Sequence, residues 1–155
     1  RFALPAAPSV AAKHERRVVD LDAIRAAHAE LARRHAFLLI EGAGGILVPI
    51  RAGYSMAELA AEFDTPLVVV TRASLGTINH TLLTLEAAER RGVEVRGLVL
   101  NGHHQVAAEI AADSRQVFSE ALLRYGYPQA IVEIPELGDG ALLPTVDFAP
   151  LLGNG

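Results

Sequence analysis

Apolar residues along this chain occur either at helical spacing or in short unbroken runs. From Asp20 onward they recur three or four residues apart and basic residues follow, which predicts a surface helix. The apolar positions of this helix are Leu21, Ile24, Ala27 and Leu31. Residues 36–40 are apolar throughout and are followed by glycines, which predicts a strand buried on both faces.

The same alternation of helix and strand signals continues to residue 134. A capping box, Ser55 followed by Glu58, predicts a helix that Thr65 and Pro66 end. Further helices are predicted at about 77–91 and 114–125, each closed by a glycine. Three apolar runs predict further strands, at residues 67–70, 95–100 and 130–134.

This regular alternation predicts an α/β fold with a mostly parallel sheet and helices on both faces. Ligands bind such sheets at the carboxyl ends of the strands. Each predicted strand is followed by a polar or glycine-rich loop, and we expect the four loops to line one edge of the sheet. The loops are residues 41–45, 71–76, 101–104 and 135–140.

Composition is consistent with a single α/β domain over residues 1–155. Hydrophobic residues make up 51% of the chain, and no apolar run reaches the roughly 18 residues needed to span a bilayer. We therefore expect a cytoplasmic protein with no membrane partner. The chain has no cysteine, which excludes disulfides and cysteine-based metal sites or nucleophiles. A net charge of −4 gives no indication of a nucleic-acid partner.

The loop after the first predicted strand begins with a carboxylate. Glu41 occupies the kind of position in which an acid holds Mg²⁺ beside nucleotide phosphates. The glycines that follow would let backbone N–H groups approach an anion closely. An acid and glycines after a strand also form ordinary solvated turns, so the residues alone leave both interpretations open.

Two other loops carry groups suited to ligand binding. Residues 74–80 join a strand to a helix, so their N–H groups could hold a carboxylate or phosphate, or Ser74 and Thr77 could be simple caps. Asn101 offers both a donor and an acceptor, which suits the edge of a purine, although Asn101 and Gly102 also form a common turn dipeptide. The adjacent His103 and His104 do not predict a metal site.

A phosphate-binding P-loop is not found in the sequence. That motif requires G-x-x-x-x-G-K-[ST], and the only lysine, Lys13, lies between Ala12 and His14. An enzyme that binds nucleotide in this way would need residues from upstream of Arg1.

Three segments strongly resemble dethiobiotin synthetase. They are residues 41–45 (EGAGG), residues 71–81 (TRASLGTINHT) and the strand ending in residues 98–101 (LVLN). Residues 7–12 also resemble the segment that leads into the middle helix of that family, so the resemblance covers nearly the whole chain. It implies a three-layer, P-loop NTPase-like fold and an ATP- and Mg²⁺-dependent ligase of biotin synthesis. Such enzymes convert 7,8-diaminopelargonic acid and CO₂ to dethiobiotin, with release of ADP and phosphate.

The resemblance also implies roles for individual residues. Glu41 matches the Mg²⁺ ligand. The substrate, whose site this family completes across a homodimer interface, would meet Gly44, Leu75, Gly76 and Asn79. The residues implied in nucleotide binding are Glu41, Gly42, Ala43, Gly44, Asn101, Gly102, Pro135, Glu136 and Leu137. Some members of the family have an acid after the Asn and an aromatic residue after the Pro, and this chain differs at Gly102 and after Pro135. The resemblance is therefore less specific about nucleotide preference than about the other roles.

In this family the P-loop, the catalytic lysines and another Mg²⁺-binding Asp precede the segment that the chain matches. We therefore expect an N-terminally truncated form, the C-terminal two-thirds of the family domain, with no catalytic residue of its own and no activity alone. A parallel sheet cut in its middle would expose an apolar edge, so marginal stability is expected. Two alternatives stay open: a P-loop relative like the cobyrinic acid amidases, and a non-catalytic binding module with a degenerate fold.

Overall fold

The computed structural model describes residues 1–72, 74, 76–102, 108–137, 140–142 and 144–152. The chain forms two compact units, Arg1–Leu59 and Ala60–Gly155. Among the described residues, every helix is too short or too polar to cross a membrane.

The first unit is mainly helical. Its elements are α1 (Pro8–His14), α2 (Leu21–Arg34), β1 (Pro49–Arg51), β2 (Tyr54–Ser55) and the start of α3 (Met56–Glu62). The prediction of α2 as a surface helix is confirmed, because Leu21 is its one buried residue. The Asp20 carboxylate caps this helix by accepting a hydrogen bond from the Ala23 N–H at 3.0 Å.

The strand predicted at residues 36–40 is wrong. These residues form neither helix nor strand, and Phe37 and Leu39 are 64% and 81% exposed. An apolar run becomes a strand only where a neighbouring strand pairs with its N–H and C=O groups. In the described part of this unit the strand pairing is instead a short antiparallel hairpin of β1 and β2, which the sequence did not predict.

Residues 1–3 are attached to the end of α1 through Glu15. The Glu15 carboxylate accepts hydrogen bonds from the Ala3 N–H at 2.6 Å and from Arg17 at 3.0 Å. The Ala3 hydrogen bond, aided by the charge of Arg17, lowers the pKa of Glu15 below its ordinary value.

The second unit is a parallel sheet with helices. Its elements are β3 (Leu67–Arg72), α4 (Thr77–Glu89), β4 (Val95–Asn101), α5 (Ala108–Arg124), β5 (Ile131–Ile134) and α6 (Ala149–Leu152). The strands lie in the order β3-β4-β5 and both pairings are parallel, which confirms the predicted α/β fold with a parallel sheet. Helix α5 begins six residues before the predicted start at Ser114.

Glycines end α4 and α5 as predicted. Gly92 and Gly126 adopt the left-handed conformation, with φ of 64° and 75°. In each case the residue after the glycine donates a hydrogen bond back to a carbonyl of the last helical turn: Val93 to Ala88 and Tyr127 to Leu122.

The core of this unit lies around the middle strand. Leu98 and Leu100 of β4 are buried on one face, and Val99 packs with Leu151 of α6 on the other. Strand β3 was predicted to be buried on both faces, and this is wrong, because Val70 is 65% exposed. β3 lies at the sheet edge, and α4 packs against the face that carries Thr71, which leaves the face of Val68 and Val70 open.

Candidate functional site

Three of the four predicted loops follow strands of the second unit that end at the same level. In the parallel register Arg72 is paired with Asn101, and Asn101 is paired with Ile134. The residues that follow these three therefore begin at one edge of the sheet, which is the edge where such folds bind ligands. The candidate Leu75, and also His103 and His104, lie outside the described residues.

Two of the three segments implied in nucleotide binding, residues 101–102 and 135–137, contact each other at this edge. The Gly102 N–H donates a 2.7 Å hydrogen bond to the Ile134 carbonyl, directly before Pro135. A Cβ atom on residue 102 would lie 2.8 Å from that carbonyl oxygen and 3.1 Å from the Glu136 nitrogen. A glycine here thus lets the Asn101–Gly102 turn and residues 135–137 approach closely, with Asn101 half-buried and Glu136 exposed.

Helix α4 begins at the same edge with small polar residues. Gly76, at its N-cap, has a φ of 84°, and no described side chain caps the helix by hydrogen bonding. The hydroxyl groups of Ser74 and Thr77 lie 2.8 Å apart. Gly76 is exposed and Thr77 is buried, and the Thr77 N–H donates to the Ser74 carbonyl at 3.1 Å. Anion binding by the N–H groups of residues 74–80 stays a prediction.

Asn79 lies on a different side of α4 from the sheet. The helix buries Thr77, Thr81, Leu85 and Ala88. Asn79 is exposed and lines an open crevice of about 420 Å³ with Leu82, Leu83 and Glu86 of the same helix and Arg124 and Tyr125 at the end of α5. Gly76 at the N-cap and Asn79 in the first turn, both implied in substrate binding, are therefore both exposed.

The Glu41 loop belongs to the first unit. Glu41, Gly42, Ala43 and Gly44 are all exposed, and the loop does not follow a strand as predicted. Gly44 has a φ of 81°, and a Cβ atom there would lie 3.0 Å from a Val48 methyl group, so only glycine fits easily.

The residues after this loop are bound to the start of α3. The Ile46 and Val48 carbonyls accept hydrogen bonds from the N–H groups of Ala57 and Met56, at 2.9 and 3.1 Å. The Glu58 carboxylate accepts the Ser55 N–H at 2.7 Å, which confirms the predicted capping box. These N–H groups of α3 are thus already engaged within the protein.

Metal-ligating side chains do not cluster in the part of the chain that the structure describes. No group of three or more His, Cys, Asp or Glu residues there is arranged to hold a metal ion. Mg²⁺ in nucleotide sites commonly takes one or two carboxylates and completes its shell with phosphates and water. A single exposed Glu41 fits that kind of donor set, and does not fit a metal site made by protein ligands alone.

The sequence did not predict one buried polar contact near the site, between Thr71 and Thr81. Their hydroxyl oxygens lie 2.7 Å apart and join the end of β3 to the second turn of α4. The signal available in the sequence is the helical spacing of Thr77, Thr81, Leu85 and Ala88, which places two threonines in one inward-facing row.

Comparison with known proteins shows the family. A family model described as an AAA domain matches residues 1–150. The chain belongs to this AAA domain family. Its relatives include proteins named ATP-dependent dethiobiotin synthetase BioD, which confirms the resemblance seen in the sequence.

Three of these relatives show how far the similarity extends. The protein from Anaeromyxobacter dehalogenans (strain 2CP-C) is 53% identical over 100 residues, which are 64% of this chain and 45% of that protein. The Chlorobaculum tepidum protein is 41% identical over 131 residues, 84% of this chain and 55% of its own length. The Aquifex aeolicus protein is 47% identical over 102 residues, which are 66% of this chain and 46% of that protein. The chain thus spans about half the length of the curated relatives it matches.

Proposed function

We propose that this chain is part of an ATP-dependent dethiobiotin synthetase, a ligase of biotin biosynthesis that acts in the cytoplasm. The observation that carries the proposal is its identity of 41 to 53% with proteins of that name. The reaction would join 7,8-diaminopelargonic acid and CO₂ into the ureido ring of dethiobiotin, and ATP would be converted to ADP and phosphate.

The adenine side of the nucleotide would be bound by the paired loops after β4 and β5. Asn101 supplies an amide that can both donate and accept, and Gly102 brings its turn against Pro135 and Glu136. Leu137, which is half-buried, completes this side. The contact between the two loops supports a shared role.

The Mg²⁺ and phosphate side would involve the Glu41 loop. Glu41 would hold the ion, which when bound would neutralise charge on the transferring phosphoryl group. Gly42, Ala43 and Gly44 would offer backbone N–H groups to the nucleotide and the substrate. The exposure of all four residues supports access by a ligand.

Within the second unit, the substrate would contact Leu75, Gly76 and Asn79. The uncapped helix start at Gly76 supports binding of a carboxylate there. Asn79 faces outward, which supports completion of the site by a second copy of the chain in a homodimer.

The proposal is tested with the full product of the gene. The purified protein is mixed with ATP, Mg²⁺, bicarbonate and 7,8-diaminopelargonic acid, and dethiobiotin and ADP are measured by mass spectrometry. We expect both products in equal amounts. No product under conditions in which the Aquifex aeolicus relative forms dethiobiotin would overturn the proposal.

The polypeptide of residues 1–155 serves as the comparison. It has only one lysine, Lys13, and lacks the G-x-x-x-x-G-K-[ST] motif. We therefore expect it to form no dethiobiotin by itself. Turnover by this polypeptide would show that phosphate binding does not require that motif.

A further inference from the structure

The Thr71 and Thr81 hydroxyl groups form a buried link between strand and helix. They lie 2.7 Å apart, and the two residues are only 7% and 3% exposed. We propose that this pair sets the position of the start of α4 relative to the carboxyl edge of the sheet, and that Thr71 and Thr81 are positioning residues for the substrate. The inference rests on the proposed function for the identity of that substrate.

The link lies at the level of the candidate site. Thr71 is paired with Leu100 in the parallel register, and the next pair is Arg72 with Asn101. Only four residues, 73–76, separate β3 from α4 in the sequence, so the Thr71–Thr81 contact joins the two elements on either side of them.

A hydrogen bond fixes this geometry more tightly than apolar contact would. On the C-terminal side of Thr81, the buried residues of the helix are apolar and include Leu85 and Ala88. Apolar contacts of this kind tolerate small sliding of one element on another. The hydroxyl pair has a narrow range of distance and direction. If α4 moved along the sheet, both hydroxyl groups would be left buried and unpaired, which is unfavourable in an apolar interior.

The effect of the link is expected on one side of the site only. Gly76 and Asn79 move with the first turns of α4, because Thr81 lies in the same helix. The Asn101–Gly102 turn is held separately by its hydrogen bond to the Ile134 carbonyl. Loss of the link should therefore weaken binding of the diamine and leave binding of ATP unchanged.

The experiment uses the full gene product with Thr71→Val, Thr81→Val, the double variant Thr71→Val/Thr81→Val, and Thr81→Ser. Each single valine leaves one hydroxyl unpaired and should lower the melting temperature, whereas the double variant removes both hydroxyls and should recover most of it. The double variant should still raise KM for the diamine about tenfold and leave KM for ATP unchanged, because its helix is no longer fixed. Thr81→Ser keeps the hydroxyl and should keep the wild-type KM.

Thr84→Val is the matched control. Thr84 lies on the same helix, but its hydroxyl donates to the His80 carbonyl of the helix itself at 2.9 Å, so it links nothing to the sheet. We expect its KM values to equal those of the wild type.

Hydrogen exchange gives a readout that does not depend on the reaction. Amides of residues 77–81 should exchange about tenfold faster in the double variant than in the wild type or in Thr84→Val. A double variant with wild-type exchange and wild-type KM for the diamine would overturn the inference, as would an equal rise of KM for ATP. If the wild type forms no dethiobiotin, the proposed function fails, and the exchange rates alone decide whether the pair fixes the helix.

Discussion

At the scale of single residues, the absence of a side chain at position 102 governs the contact of two loops. We expect Gly102→Ala to push the Asn101 turn away from residues 135–137, because the new Cβ atom would lie 2.8 Å from the Ile134 carbonyl oxygen. The strain should lower the free energy of unfolding by about 1–3 kcal/mol. If these loops bind ATP, its Kd should rise in the full gene product, measured by calorimetric titration.

Gly45→Ala is the control for stability in that experiment. A Cβ atom on residue 45 would have no neighbouring atom within 4 Å, and the residue does not have a positive φ, so alanine should be accommodated there. An unchanged free energy of unfolding in Gly102→Ala would contradict the close contact described above.

Glu15 makes the attachment of residues 1–3 dependent on pH. Its pKa is lowered in the folded state, so the charged carboxylate stabilises this contact above the ordinary value of 4.5, and that contribution is lost as pH falls through the lowered pKa. We expect the Ala3 amide resonance, followed by NMR, to shift as pH falls below 4.5. In Glu15→Gln, whose amide carbonyl accepts at every pH, the shift should be absent.

The residues with local signals were the ones that the sequence predicted well. Ser55 and Gly92 act at helix ends through neighbours three to five residues away, and each does what was predicted. Thr71 and Thr81 are ten residues apart on different elements, so no local pattern joins them. The proposed ligand roles of the strand-end residues stay predictions.

At the scale of elements, the capping box should account for much of the local stability of α3. Ser55→Ala removes both the hydroxyl group that accepts from the Ala57 N–H at 3.2 Å and its bond to Glu58. We expect the free energy of unfolding to fall by about 1 kcal/mol, measured by urea denaturation. Ser55→Thr keeps a capping hydroxyl and should lose less, and an equal loss in both variants would argue against a capping role.

Helices and strands differed in how far the sequence could predict them. The strand predicted at residues 36–40 has the right composition, but composition does not supply a neighbouring strand. Leu67–Arg72 does form a strand, because β4 pairs with it. Its apolar residues predicted burial on both faces, but the face of Val68 and Val70 is exposed. Strand identity is therefore decided by residues far away in the sequence, whereas the capped start of α3 and the glycine ends of α4 and α5 are decided locally.

At the scale of the whole molecule, exposed apolar residues should make the 155-residue polypeptide prone to self-association. Val70 on the open face of β3 is 65% exposed, and Val68 beside it is 38% exposed. We expect Val70→Lys to reduce association, measured by light scattering at rising concentration, and to leave the melting temperature nearly unchanged.

Leu142→Lys is the matched control, because Leu142 is 93% exposed but does not lie on a strand. It should associate as the unchanged polypeptide does. If the Val70→Lys variant associated as strongly as the unchanged polypeptide, this face of β3 would not be the surface through which the chains associate.

The parallel order β3-β4-β5 also bears on how the second unit is synthesised. Each strand pairs with the next one in the chain, so no strand has to wait for a partner made much later. During translation, β3 and β4 can pair while α5 is still being extended, and β5 then adds to an existing edge. The sheet can thus grow strand by strand in the direction of synthesis. Each new strand pairs with the strand that was synthesised just before it.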